Sequence, residues 1–357
     1  MYLVVNEGGA RLACEGERLR VVREGRAVHE VRLQELEGIL AIGTLGLTAR
    51  AARTLLGRGI EVTFLDARGR FLGRLSGPGS RNAALRLDQV RRALDEEFRL
   101  ALAARFVEGK LRNQRAVLLR YRRRHDREAI RDAAGRLRIL AERTGEAADL
   151  DELMGIEGAG SQVYFSVFGG LVRNPLFSFS GRNRRPPRDP VNACLSFGYT
   201  VVGAIIEGEV AGAGLDPAQG YLHRPAWNRP SLALDLLEEM RAPVVDSLVL
   251  TLINRSQLGP GDFGPPGRDP DEGGVSPWLE EEPSPEPLSD GAIHLNRTGR
   301  PVFLKALLAR LREVRLHRGT GQRLEIREIV RRQIWAVARA VSRDDPALYL
   351  PWLLEDP

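Results

Sequence analysis

Ser76-Gly77-Pro78-Gly79-Ser80 divides the sequence into two kinds of pattern. Before it, apolar residues alternate with polar ones; after it, they recur every third or fourth position. On the N-terminal side Ile60, Val62 and Phe64 alternate as in a strand, and Phe71 to Leu75 continues the pattern. Further out, Arg18-Leu19-Arg20-Val21 alternates too, Glu24-Gly25 offers a turn, and Val28 and Val31 resume the apolar pattern. Leu36 to Leu47 is apolar, with Gly38, Gly43 and Gly46 where tight strand turns need them. Thr48 can cap a short helix through Leu56, ended by Gly57 and Gly59. On the C-terminal side Leu85, Val90, Leu94, Phe98 and Leu102 recur at helical spacing, as do Val117, Leu118, Ile130 and Leu137. A second helical block runs from about Val191 to Ile253, and helices resume near Arg300 and from Leu324 to Ala340. The expected class is therefore α+β. A small β-rich N-terminal domain occupies 1–75, a linker 76–82, and a larger all-helical domain 83–357. Within the last, 259–290 fills with proline, glycine and acid, including Pro265-Pro266 and Glu280-Glu281-Glu282, and reads as a disordered insertion.

With 357 residues and 43% hydrophobic content the chain can bury a real core. Its net charge of +6 comes from 53 basic and 47 acidic residues, so where the charges lie matters more than their sum. Lys110 and Lys305 are the only lysines; every other side-chain cation apart from histidine is arginine. That bias fits phosphate recognition by a planar fork, and equally a GC-rich genome or a hot habitat. Cys14 and Cys194 stand far apart and in no CxxC pattern, which excludes a zinc ribbon and a disulfide scaffold. The N-terminal residues lack the basic run of a secretory leader. The most apolar stretch, Ala193 to Ile206, is interrupted by Ser196, Gly198, Thr200 and Gly203, and falls short of the ~20 residues of a membrane span. The expectation is a cytoplasmic protein with no membrane partner.

Chemistry concentrates in three places. In Ser231-Leu232-Ala233-Leu234-Asp235-Leu236-Leu237-Glu238-Glu239-Met240-Arg241, Ser231 is the expected N-cap, and Asp235, Glu238 and Glu239 share one helix face. Either these acids are a solvated face near the helix start, or a cation lies between them. His223, one of five histidines, precedes this helix in Gly220-Tyr221-Leu222-His223. Glu157 stands among small residues in Met154-Gly155-Ile156-Glu157-Gly158-Ala159-Gly160-Ser161, at an expected helix start, where the carboxylate would be open to a ligand. One imidazole with carboxylates and no thiolate suits Mn2+ or Mg2+ better than structural zinc. Walker loops, HExxH and serine elbows are absent, which argues against an ATP-driven helicase or ligase. Two arginine clusters complete the set. Arg122, Arg123 and Arg124 lie in a basic segment with Tyr121 and His125; Arg184 and Arg185 lie in Arg182-Asn183-Arg184-Arg185-Pro186. Both are candidate DNA contacts, and either can equally be a solvated surface.

Gly155-Ile156-Glu157-Gly158, then Asp189-Pro190-Val191-Asn192-Ala193-Cys194-Leu195-Ser196-Phe197-Gly198-Tyr199, then Gly220 to His223, then Ser231 to Arg241 stand in the order of a known family. The chain resembles the CRISPR-associated spacer-acquisition integrases from its first strands to about Asn254, and again from about Leu295 to Ala340. The stretch from Gly259 to Asp290 departs from the family pattern. The resemblance implies metal ligands at Glu157, His223 and Glu238, a supporting Asp235, and a phosphate contact for Arg241. It implies insertion of captured foreign DNA into a CRISPR array by 3′-hydroxyl transesterification, with cleavage of branched or double-stranded DNA at the same site. The implied partners are DNA, a second copy of the chain as a homodimer, and a small ferredoxin-like CRISPR-associated dimer in a heterohexamer. A transposon-type integrase, a stand-alone branched-DNA repair nuclease and a non-enzymatic DNA-binding scaffold are the competing readings.

Overall fold

The computed structural model describes residues 2–6, 8–66, 71–77, 82–121, 127–183, 186–227, 229–265 and 291–355. The alternating residues before the linker form two four-stranded sheets. In one, β1 (Tyr2–Val5), β5 (Gly38–Ile42) and β7 (Glu61–Leu65) run parallel, and β8 (Phe71–Leu75) pairs antiparallel with β7. In the other, β2 (Ala10–Glu15), β3 (Arg18–Arg23) and β4 (Arg26–Arg32) form a meander, with β6 (Leu45–Leu47) parallel to β2. Thr48 caps α1 (Ala49–Gly57) as expected, its hydroxyl accepting the Ala51 N–H at 3.1 Å. Leu12, Leu19, Val21, Ile39, Ala41 and Val62 close a shared core with Ala51 and Leu55 of α1.

Strand β5 also joins the two halves. Its side chains alternate, so Ile39 and Ala41 enter the sheet core, while Leu40 and Ile42 enter the core of the helical half. Both faces are buried. Polar contacts add to this seam: the Tyr2 hydroxyl donates to Glu209 at 3.1 Å, Arg74 to the Gly208 carbonyl at 3.3 Å, and Arg327 pairs with Glu37.

The helical half contains α2 (Ala83–Leu94), α3 (Glu96–Tyr121), α4 (Arg127–Arg143), α5 (Leu150–Phe168), α6 (Pro190–Gly212), α7 (Ser231–Met240), α8 (Ser247–Asn254), α9 (Gly299–Leu311) and α10 (Ile326–Arg343). The α+β expectation holds, with two small sheets inside the helical half: β9 (Phe263–Gly264) with β10 (His294–Leu295), and the hairpin β11 (Val314–His317) with β12 (Gln322–Glu325). The first residues of the proline-rich stretch belong to the fold. Asp262 accepts the Gly259 N–H at 2.9 Å, and Phe263 meets Phe177 edge-on at 5.9 Å, an anchor of the kind disordered segments lack. Residues 266–290 of that insertion lie outside the described residues. Helix α6 extends the Ala193–Ile206 run in both directions, and by length and composition alone it is long and apolar enough to cross a membrane. Most of it is buried in this fold, with Val201, Val202 and Ile206 in the core, so it serves as the central core helix.

Close helix approach sets the site. Gly160 on α5 has no room for a side chain, since a Cβ there would overlap Leu111 of α3. We expect Gly160→Val to lower stability by ~1–3 kcal/mol. Gly158→Ala, whose Cβ would meet nothing within 4 Å, should be neutral or stabilising. Denaturant midpoints of the two variants check this; equal losses would remove the packing role assigned to Gly160.

Candidate active site

Three helices and one loop converge. Helix α5 is capped by Asp149, whose carboxylate accepts the Glu152 N–H at 2.8 Å. Glu157 therefore lies two turns inside the helix and not at its start, so the helix dipole does not explain it. The open surroundings expected from Gly155 and Gly158 are present, because a Cβ at either would meet nothing within 4 Å. Helix α7 starts one residue earlier in its capping than expected. Pro230 is its cap residue, and the Ser231 hydroxyl donates to the Arg224 carbonyl at 3.2 Å instead of capping.

Asp235 is fully buried and organises the loop that carries His223. It accepts the backbone N–H groups of Tyr221 at 2.6 Å, Leu222 at 3.1 Å and His223 at 2.9 Å. Its Oδ1 also lies 2.7 Å from His223 Nδ1. A carboxylate only accepts, so the ring proton at this contact sits on Nδ1, and Nε2 is the nitrogen that the neutral ring would offer a ligand.

Glu238, one turn on, is buried between two cations. Its Oε1 lies 2.6 Å from Arg241 Nη1 and its Oε2 lies 2.7 Å from Lys110 Nζ. Burial alone would raise its pKa, but Arg241, Lys110 and His223 outweigh that and hold it down at about 2. Lys110 comes from α3 and pairs with Glu157 as well, whose Oε1 also accepts the Ser161 hydroxyl at 3.0 Å. Glu157 and Glu238 thus meet through one ammonium, with His223 near enough to act on Glu238. Among the described residues no three His, Cys, Asp or Glu side chains converge as they would around an ion. Lys110 stands between the two carboxylates in their place.

Glu239 does not share the face expected for it. Its Oε2 accepts the Trp352 N–H at 3.1 Å and the Gln333 amide at 3.3 Å, away from His223. Consecutive residues on a helix point about 100° apart, and on a fully buried helix each meets a different neighbour. Burial pushes the Glu239 carboxyl up to about 8. Beyond α7 the helix widens into a π turn, Arg241–Asp246, around Pro243, which has no N–H to give the regular ladder. Asp246 at its end accepts the Tyr164 hydroxyl at 3.0 Å and the Tyr199 hydroxyl at 2.5 Å, and burial pushes it up to about 6. The guanidiniums of Arg182 and Arg241 lie over the Tyr199 ring at 5.4 and 5.1 Å.

This geometry sits on a chain whose residues 3–270 match the family model described as CRISPR associated protein Cas1. A CRISPR-associated endonuclease Cas1 of Rhodospirillum rubrum is 35% identical over 98% of this chain and 96% of its own length. One from Thermus thermophilus is 36% identical over 92% of this chain and 90% of its own. The chain belongs to the Cas1 family. The fold agrees with a Cas1 protein from Thermotoga maritima at a TM-score of 0.75 and 23% identity, covering 96% of this chain and 97% of that one. A casposase bound to integration product gives 0.76 and 23%, covering 96% and 91%. At those identities the likeness concerns the fold.

Membership in the Cas1 family bears out the enzyme reading and sets aside the non-enzymatic scaffold. The chain is a CRISPR-associated endonuclease. Of the arginines expected at DNA, Arg241 is described: it is mostly buried, paired with Glu238 and stacked on Tyr199. Arg122, Arg123, Arg124, Arg184 and Arg185 lie outside the described residues. Reading the sequence missed Lys110 and Asp246 at the site. For Lys110 a signal existed, since one of two lysines among 53 basic residues is conspicuous. For Asp246 there was none, because nothing local ties it to Tyr164 or Tyr199.

Proposed function

We propose that Glu157, His223 and Glu238 hold one Mn2+ or Mg2+ ion, with which the chain inserts captured DNA into a CRISPR array. The observation that carries this is the convergence of Glu157 and Glu238 on one buried ammonium, with His223 near enough to act on Glu238. Two carboxylates held at one buried cation form a pocket for positive charge that a divalent ion could take in the ammonium's place. The donors fit a hard divalent ion: two carboxylates and one imidazole Nε2, with both cysteines buried elsewhere. When bound, the ion would supply Lewis acidity at the reacting phosphate.

The chain's own residues prepare the site. Asp235 aims His223 and fixes its tautomer. Arg241 holds Glu238 ionised and in one rotamer, and the Tyr199–Asp246 pair holds Arg241. In the transfer itself the 3′-oxygen of the incoming strand forms a bond to a repeat phosphorus as that phosphorus loses the repeat's own 3′-oxygen. One ester replaces another, so no ATP is needed. Cleavage of branched DNA substitutes water for the attacking hydroxyl.

The partners in this reading are the DNA fragment and repeat, a second copy of the chain, and a small ferredoxin-like CRISPR-associated dimer in a cytoplasmic heterohexamer. A protein partner is supported by a structural relative solved as a Cas6-RT-Cas1–Cas2 complex, which aligns over 99% of this chain and 36% of that one at a TM-score of 0.78 and 24% identity. Titrating the free protein with manganese tests the ligand set. One ion per chain is expected in wild type and none in Glu238→Ala; equal binding by both would remove Glu238 from the set. Arg122, Arg123 and Arg124 are proposed as phosphate contacts. Neutralising all three should flatten the salt dependence of DNA binding by roughly one unit per lost contact, and an unchanged slope would make them plain surface.

A further inference from the structure

Lys110 is 4% exposed and sits between two carboxylates that the proposed chemistry assigns to an ion. Burying an ammonium costs several kcal/mol unless it is closely paired, so this placement is stable only because both acids face it. The choice of lysine is informative in a chain with one other. An arginine would bridge two carboxylates with a rigid fork; a lysine does so with a compact charge on a four-carbon stem that can swing.

An incoming ion would upset the charge balance of this site. Glu157 and Glu238 are balanced by Lys110 and Arg241 as the site stands. Adding a dication leaves an excess of buried positive charge. Arg241 cannot readily leave, since Glu238 and the Tyr199 ring hold it. Among the described residues Lys110 is held by the two carboxylates alone, and these are the groups the ion would take. A DNA phosphate beside the site offers the displaced ammonium a new anion.

We propose that Lys110 is an exchangeable internal cation, which occupies the carboxylate pair in the absence of an ion and transfers to a phosphate of bound DNA when the ion arrives. This rests on Glu157, His223 and Glu238 being the ligands. It makes ion and DNA binding cooperative: the ion frees the ammonium, and the phosphate then holds it. Coupling of this kind is reciprocal, so DNA must tighten ion binding by the same factor.

Manganese binding to the full chain, followed by the loss of the free-ion paramagnetic resonance signal, tests this with and without a non-cleavable branched DNA. In wild type, DNA should tighten manganese binding on the order of tenfold. Lys110→Met removes the competing charge at similar volume. It should bind manganese without DNA on the order of tenfold more tightly than wild type, and DNA should add less than it does in wild type. Lys110→Arg keeps a bridging cation and should bind no more tightly than wild type. Wild-type affinity and an unchanged DNA effect in Lys110→Met would overturn the proposal. If that variant fails to fold, the other arms decide: no DNA effect in wild type, or tighter binding by Lys110→Arg, would overturn it equally. Manganese binding that is the same in wild type and Glu238→Ala would instead sink the ligand assignment, and the exchange with it.

Discussion

Glu157→Ala, His223→Ala and Glu238→Ala are each expected to abolish strand transfer and branched-DNA cleavage. With three protein donors, losing one removes a large part of the charge and geometry that hold the ion. A loss of ~3–5 kcal/mol of transition-state stabilisation corresponds to roughly 10²–10⁴-fold in rate. The surroundings of Glu238 add a complication for stability. Alanine there leaves Lys110 and Arg241 without a shared buried partner, and breaking such a pair costs about 3–5 kcal/mol. Glu238→Gln keeps the volume and some hydrogen bonding, and it separates lost chemistry from lost fold. Asp235 acts through His223, so Asp235→Asn should be milder, on the order of 10–100-fold. Manganese-dependent cleavage of a branched DNA, with thermal midpoints measured on the same preparations, reads all five. Near-wild-type turnover in Glu238→Gln would show that another acid serves.

The second large effect falls on stability and comes from Glu239. Its carboxyl is pushed from the ordinary 4.5 up to about 8 by burial, against weaker opposing hydrogen bonds from Gln333, Tyr349 and the Trp352 backbone. Between those values the folded chain holds a proton that the unfolded chain has released. Stability is therefore greatest below pH 4.5 as far as this group is concerned, and declines as pH rises through 4.5 to 8. At about 1.4 kcal/mol per unit, the decline amounts to a few kcal/mol. Glu239→Gln removes the titration and keeps the shape. Denaturant unfolding from pH 5 to 8.5 should show the variant gaining on wild type as pH rises. Asp246, raised to about 6, adds a smaller slope of the same sign in both proteins. Parallel curves would mean that Glu239 stays ionised in the fold.

Local pattern sufficed for much of this protein. Two-residue alternation before Ser76 and helical spacing after it come from the geometry of single elements, so the order of sheets and helices was legible without a partner in view. The Thr48 cap was legible for the same reason. So was the neighbourhood of His223 and Asp235, which one turn of loop and one turn of helix bring together. Glu157 stood out by its small neighbours, although its helix begins earlier than they suggest. Tertiary packing decided the rest. Whether Glu239 faces the site or the core depends on Gln333 and Trp352, which reach it only once the C-terminal segment has folded onto α7. The two buried faces of β5 exist only because the helical half packs on one of them. Above all, the ammonium of Lys110 meets Glu157 and Glu238 because Gly160 lets α5 lie against α3 and because α3 also packs on α7. Spacing along a helix sets which residues share its face, whereas the charge that face will meet depends on which other helix is near enough to touch it.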